Sequence, residues 1–159
     1  MSMKKILNPW TDNPEYKCIG CSPDNPIGLH LEFYEEGDEI ISKWQPSDNH
    51  QGWVNTLHGG VQALIMDEIC SWAVSRKLQT AGVTSKMEVR YKHHIPTNEG
   101  EITAKARIRE QRRNLVTIDA ELIDHNGRVC TEATCLYFTF SKEKSEQEMH
   151  FMPFLTEDE

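Results

Sequence analysis

No stretch of this chain stays apolar for the ~18 residues that a membrane-spanning helix needs. Two lysines stand near the start, yet no apolar segment follows them between Met1 and Trp10, so the signal-peptide pattern is missing too. Positive charge is in deficit, and the formal net charge is −8. A nucleic-acid binder needs a basic footprint for phosphates, so that class is set aside. Neither a P-loop nor a GxGxxG fingerprint occurs. The GxSxG elbow and the Ser-His-Asp order of α/β-hydrolases are absent as well. The expectation is a cytoplasmic protein that binds neither membrane nor nucleic acid.

Metal motifs are equally thin. There are five cysteines, an odd count, and only one CxxC, Cys18-Ile19-Gly20-Cys21. A structural zinc site takes four ligands, and no second CxxC or paired histidine motif follows at a suitable spacing. A thioredoxin-type site wants a helix after the motif, where this chain has Pro23 and Pro26. The simplest reading is structural cysteines in a loop, with Cys70, Cys130 and Cys135 in the core. His93 and His94 are adjacent on an extended segment and point to opposite faces, so no metal is expected there.

What is present fits one domain of ordinary composition, long enough at 159 residues to build its own core. Residues 1–26 hold four of the seven prolines and read as an irregular leader. Leu29, Leu31 and Phe33 alternate with polar neighbours as a strand does, and Glu36-Gly37-Asp38 turns the chain into a second strand, Glu39 to Trp44. Residues 46–57 are a polar loop. A helix is expected from Gly59 to about Gln79: after Gly60 neither Gly nor Pro occurs, and apolar residues cover almost the whole circumference, which predicts a buried helix. Three period-2 segments follow, Val83–Tyr91, Ile102–Arg109 and Val116–Leu122. Asn126-Gly127 marks a hairpin into a last strand from Arg128 to about Phe140. The order β-β-α-β-β-β-β predicts an α+β fold, an antiparallel sheet with one helix against it. The acidic tail, 141–159, is expected to be mobile unless Met149, Phe151, Met152 or Phe154 docks it.

Two acids interrupt the buried helix. Asp67 and Glu68 both fall among mostly apolar neighbours, and a buried carboxylate is costly unless it is paired or used. Desolvation raises the pKa of such a group and can make it a base. Position alone does not choose between them, and a plainer role for either, facing solvent or bonding backbone, stays open. At the start of the helix, His58-Gly59-Gly60 offers backbone N–H groups that have no partner inside the helix. The glycines permit close approach, and the helix dipole adds positive charge. This is a candidate oxyanion site, or merely a tight turn into the helix. Arg90, Lys92, Arg109, Arg112 and Arg113 are candidate phosphate ligands, against the alternative of a solvated strand face.

The run from Gly52 to Glu68, with His58-Gly59-Gly60 and an acid nine residues after the histidine, resembles the signature of the PaaI-type hot-dog-fold acyl-CoA thioesterases. The leader from Cys18 to Leu29 is similar to that of one branch of the family. The resemblance implies a long central helix wrapped by a curved antiparallel sheet over residues 27–140. It implies a homodimer, or a dimer of dimers, with sites at the subunit interface, and hydrolysis of an acyl-CoA thioester without metal or redox cofactor. Asp67 would be the nucleophile or general base, the Gly59 N–H would polarise the carbonyl, and His58 would position substrate or loop. Gly60 and Glu68 would lie beside the substrate. Some relatives carry Ser or Thr early in the strand after the helix. Thr84 stands there, with Ser85 as its rival, although simple alternation puts Thr84 on the polar face with Lys86 and Arg90. Some relatives also have Asn six residues before the histidine; this chain has Gly52, and Gln51 or Asn55 are the substitutes at hand. Arg90, Arg112 and Arg113 would meet the phosphates of coenzyme A. Two other readings share the fold: a hydratase or dehydratase, and a non-catalytic acyl-CoA or lipid-binding module.

Overall fold

With nothing between Val61 and Leu78 to break it, one helix runs unbroken. The computed structural model, which describes residues 2–159, has it as α1, Gly59–Leu78. It ends where Gln79 turns left-handed at the C-cap. Seven strands surround it in sequence: β1 Lys4–Lys5, β2 Tyr34–Glu36, β3 Glu39–Trp44, β4 Gly82–Tyr91, β5 Ile102–Arg112, β6 Leu115–Ile123 and β7 Val129–Thr139. A second, short helix, α2, spans Lys142–Glu148. All strand pairs are antiparallel, in the order β1-β2-β3-β5-β6-β7-β4. β4, the first strand after the helix, therefore crosses over to form an edge.

The alternation read from the sequence selects the core. Ala104, Ala106, Ile118, Leu122, Cys130 and Cys135 turn inward and are buried against Ile65, Met66, Ile69, Cys70 and Val74 of α1. Each fully buried Ile or Leu contributes about 1.5–3 kcal/mol, so this face accounts for why α1 lies against the sheet. The opposite face of the sheet carries the charged residues of the same strands. The three core cysteines sit where expected, and Gly127 adopts the positive φ of 87° that the hairpin before β7 requires.

One expectation needs correction and another is resolved. Leu29, Leu31 and Phe33 alternate in burial as a strand would, but they do not join the sheet. His30 has a φ of 56°. The Leu29 and Leu31 N–H groups donate instead to Ile19 and Gly20 at 2.9 Å each, so this segment ties down the CxxC loop. The tail is packed on the fold rather than loose, through two of the residues that could dock it, Phe151 and Phe154. After α2 it returns across the leader: Leu7 donates to the Leu155 carbonyl and Glu157 to that of Lys5. Phe154 is buried, edge-on to Trp72 and stacked on Phe151. Arg76 of α1 fixes the end by donating to the Phe154 carbonyl and to both Glu35 and Glu159. The carboxylates that made the tail look solvated are in part the partners of this one guanidinium.

Replacing Phe154 with Ala should lower unfolding free energy by about 3 kcal/mol, the usual cost of deleting a buried aromatic. Urea denaturation checks this; a loss under about 1 kcal/mol would mean the tail adds little to the fold.

Candidate active site

The helix start is built by a side chain. His58 is the N-cap residue, and its Nδ1 accepts the Gly60 N–H at 2.8 Å. The His58 carbonyl takes the Gln62 N–H, and its own N–H donates to the His50 carbonyl. That leaves the Gly59 N–H without an acceptor among the described residues. Of the two glycines, Gly59 is thus the one with a donor to offer, and Gly60 is occupied by the cap. The Tyr91 hydroxyl at the end of β4 donates to the Gly59 carbonyl at 2.7 Å. A Cβ on Gly59 would lie 3.4 Å from the Tyr91 ring, so this tyrosine forms the wall beside the helix start.

The loop before it is held by its own side chains. Gln51 Oε1 accepts the Asn55 N–H, and Asn55 takes a φ of 62°. Gln51 thus shapes the loop. A Cβ at Gly52 would sit 3.3 Å from His58 Cδ2, so a larger residue there would press on the capping ring. Trp53 and Val54 are among the most exposed apolar side chains of the chain, at 86% and 79%.

Asp67 faces the β4–β7 edge. Its Oδ1 accepts from Thr84 Oγ1 at 2.5 Å and from the Tyr137 hydroxyl at 2.7 Å. The Tyr137 hydroxyl also lies 2.6 Å from the Asp67 carbonyl. Burial, with the Asp67 carboxylate adding to it, pushes the Tyr137 phenol up, so it remains a donor. Asp67 Oδ2 has no hydrogen-bond partner among the described residues. Thr84 reaches Asp67 because β4 carries a bulge: its register against β7 shifts between Thr84 and Lys86. Ser85 is the extra residue. It reverses the alternation, so that Thr84 shares the helix-facing side with Met87, while Lys86, Glu88 and Arg90 point away. Simple alternation had put Thr84 on the wrong face. Tyr137 was missed altogether; its one sequence signal was a tyrosine on the inward parity of an apolar strand.

Glu68, one residue on, faces the leader instead. Its Oε1 accepts from Trp72 Nε1 and from the Cys18 thiol, both at 3.3 Å. Burial, and next the Cys18 sulfur, push its carboxyl up to about 7. The Cys21 thiol donates to Cys18 Sγ across 3.3 Å, and with the Cys21 and Gly20 N–H groups it draws the Cys18 thiol down to about 5. Cys21 moves the other way, upward, as donor to Cys18 and by burial. The structure does not bring Glu68 together with Asp67's partners.

The proposed phosphate ligands separate. Arg90 lies in a cross-strand row with Glu132, Glu121 and Lys105, on the face of the sheet away from α1. In the single chain it is not beside Asp67. Lys92 pairs with Glu132 and Arg109 with Asp119. Arg112 and Arg113 lie at the β5–β6 turn. The row Arg112, Leu115, Phe138, Val83 is adjacent to the row Gln111, Val116, Tyr137, Thr84, which places this turn at Asp67's end of the sheet.

Residues 54–131 match the family model of the thioesterase superfamily. An unproven esterase of Saccharolobus solfataricus is 28% identical over 127 residues, 79% of this chain and 82% of the relative. Among solved structures, a thioesterase superfamily protein superposes with a TM-score of 0.70 at 22% identity, over 75% of this chain. This chain spans only 58% of that protein's length. A hypothetical thioesterase of Streptococcus pneumoniae TIGR4, solved with coenzyme A, gives a TM-score of 0.64 at 20% identity, over 70% of this chain and 86% of the other. The fold is the hot-dog fold.

The cap geometry is testable. His58→Ala should cost about 1 kcal/mol of stability, and His58→Asn, which keeps an acceptor for the Gly60 N–H, should restore most of it. Equal losses in urea denaturation would contradict the capping role.

Proposed function

We propose that this protein hydrolyses an acyl-CoA thioester, with Asp67 driving attack on the carbonyl and the Gly59 N–H receiving the developing oxyanion. The observation that carries the reading is the Asp67 carboxylate, held through one oxygen by Thr84 and Tyr137 and left with Oδ2 to act. Oδ2 either attacks the carbonyl carbon or takes the proton of an attacking water. The carbonyl electrons move onto the oxygen, which a helix N-terminal N–H stabilises. When the carbonyl re-forms, the C–S bond breaks and the thiolate leaves, taking up a proton. In the general-base route that proton is the one taken by Asp67. In the nucleophilic route, water must then cleave the acyl-Asp67 anhydride. No metal or redox cofactor is required by these steps.

One chain does not complete this site. Gly59 and Asp67 are eight residues apart on α1, about 12 Å along its axis. A single carbonyl must lie ~3 Å from each group. The missing half is supplied if the edge strand β4 pairs antiparallel with β4 of a second copy. Asp67 is tied to the Thr84 end of β4, and Gly59 to the Tyr91 end. A two-fold axis near the middle of the strand brings these ends together, so that Asp67 meets Gly59 of the partner subunit. The exposed β4 edge, with Val83 and Tyr91 half-open to solvent, supports that pairing. So do Trp53 and Val54 beside the helix start, which a partner would cover. Arg112 and Arg113, at the same end as Thr84, are the cations offered to the phosphates of coenzyme A. A cytoplasmic, reducing setting suits a chain whose five thiols are all free.

Asp67→Asn should reduce kcat by about 10²–10⁴-fold on an acyl-CoA panel with the fold intact. Gly59→Pro should replace the N–H with a ring carbon while leaving the helix intact, because the first helical position tolerates proline and His58 already has the extended backbone proline asks of its predecessor. Its expected cost is about 10²–10³ in kcat. Hydrolysis unchanged by Asp67→Asn would overturn the role given to Asp67, whereas binding of acyl-CoA without hydrolysis by the unaltered chain would favour a binding module.

A further inference from the structure

The cluster facing the leader has no part in the hydrolysis, and its chemistry is of a different kind. Cys18 Sγ, Cys21 Sγ and a carboxylate oxygen of Glu68 all lie within 4.8 Å of one another. The Cys18–Cys21 sulfurs are 3.3 Å apart, and Cys18 Sγ is 3.3 Å from Glu68 Oε1. We propose that Cys18, Cys21 and Glu68 form a binding site for a zinc-like divalent cation, which pins the leader to α1. The proposal is independent of the thioesterase reading.

Four observations carry it. The spacing fits first. A tetrahedral ion with bonds of about 2.0–2.3 Å holds its ligands roughly 3.4–3.8 Å apart, so the two measured separations need to open by only a few tenths of an ångström. The donor set is right for a borderline-soft ion, two thiols and one carboxylate. Charge is the third point. Glu68 is half-buried and makes no salt bridge among the described residues, so a cation would neutralise a group that is otherwise held only by weak donors. A disulfide would use the two sulfurs and leave that carboxylate as it is.

The surroundings are shaped for the purpose as well. Tyr16 hydroxyl lies 2.8 Å from Cys21 Sγ and accepts from Asn8 Nδ2, so the second sulfur has an outer layer of polar support. A Cβ at Gly20 would come within 2.7–2.8 Å of the Glu68 side chain, so the loop is fitted closely around that carboxylate. A cavity of about 260 Å³, walled by Trp10, Tyr16, Trp72 and Phe151, opens onto all three ligands and leaves room for water in a fourth position.

The full-length reduced chain tests this with Zn²⁺ and Co²⁺ as probes. Expected is one Zn²⁺ per chain in competition with a chromophoric chelator, and a Co²⁺ complex showing thiolate-to-metal charge transfer together with tetrahedral visible bands. Cys18→Ser and Cys21→Ser should abolish the charge-transfer band or weaken it severely. Glu68→Gln should weaken Zn²⁺ binding by at least about tenfold. The proposal is overturned if the wild-type chain binds no more Zn²⁺ than a Cys18→Ser/Cys21→Ser double variant, or if Glu68→Gln binds as tightly as wild type. A wild-type Co²⁺ spectrum lacking the thiolate band overturns it with no variant needed.

Discussion

Adjacent residues leave an α-helix about 100° apart, so α1 must satisfy two neighbouring carboxylates against two different walls. Asp67 points to the β4–β7 edge, where Thr84 and Tyr137 donate to it. Glu68 points to the leader, where Cys18 donates to it beside Trp72 of α1 itself. Much of the rest follows from that division. The leader and the returning tail lie where they do because Glu68 and Arg76 need partners on that side. The bulge in β4 exists where Thr84 must be turned toward Asp67. A helix with only one of these acids would need only one such wall.

Most of the fold was legible. The helix boundaries, the four long strands and the hairpin at Gly127 follow from period, glycine and proline, because burial on one face leaves a regular trace in sequence. Leu29 to Phe33 shows the limit of that signal: alternation reports burial, and burial against a loop alternates just as burial in a sheet does. The tail misled for a related reason. Its carboxylates look solvated until Arg76, far back on α1, is known to hold Glu159.

The site divides in the same way. His58, Gly59 and Asp67 stand out because glycines at a helix start and an acid inside a buried helix are locally anomalous. Thr84 was recovered only by resemblance, since one bulged residue inverts strand parity and no propensity announces it. Tyr137 carries no local anomaly. The third member of the Cys18–Cys21 cluster comes from α1, out of reach of any spacing rule for cysteine motifs. Arg90 was chosen for charge alone, and strand parity past the bulge sends it to the outer face.

On the proposed chemistry, the separation of Gly59 from Asp67 along one helix makes the edge strand a functional requirement. The decisive measurement is activity after mixing two inactive chains, Asp67→Ala and Gly59→Pro, under conditions that exchange subunits. A site shared across a two-fold axis leaves one of the two sites in each mixed dimer intact, so activity should return to about a quarter of wild type at equal mixing. If the mixture stays as inactive as its components while mass measurements show that mixed dimers have formed, Gly59 and Asp67 do not act on one carbonyl from two subunits.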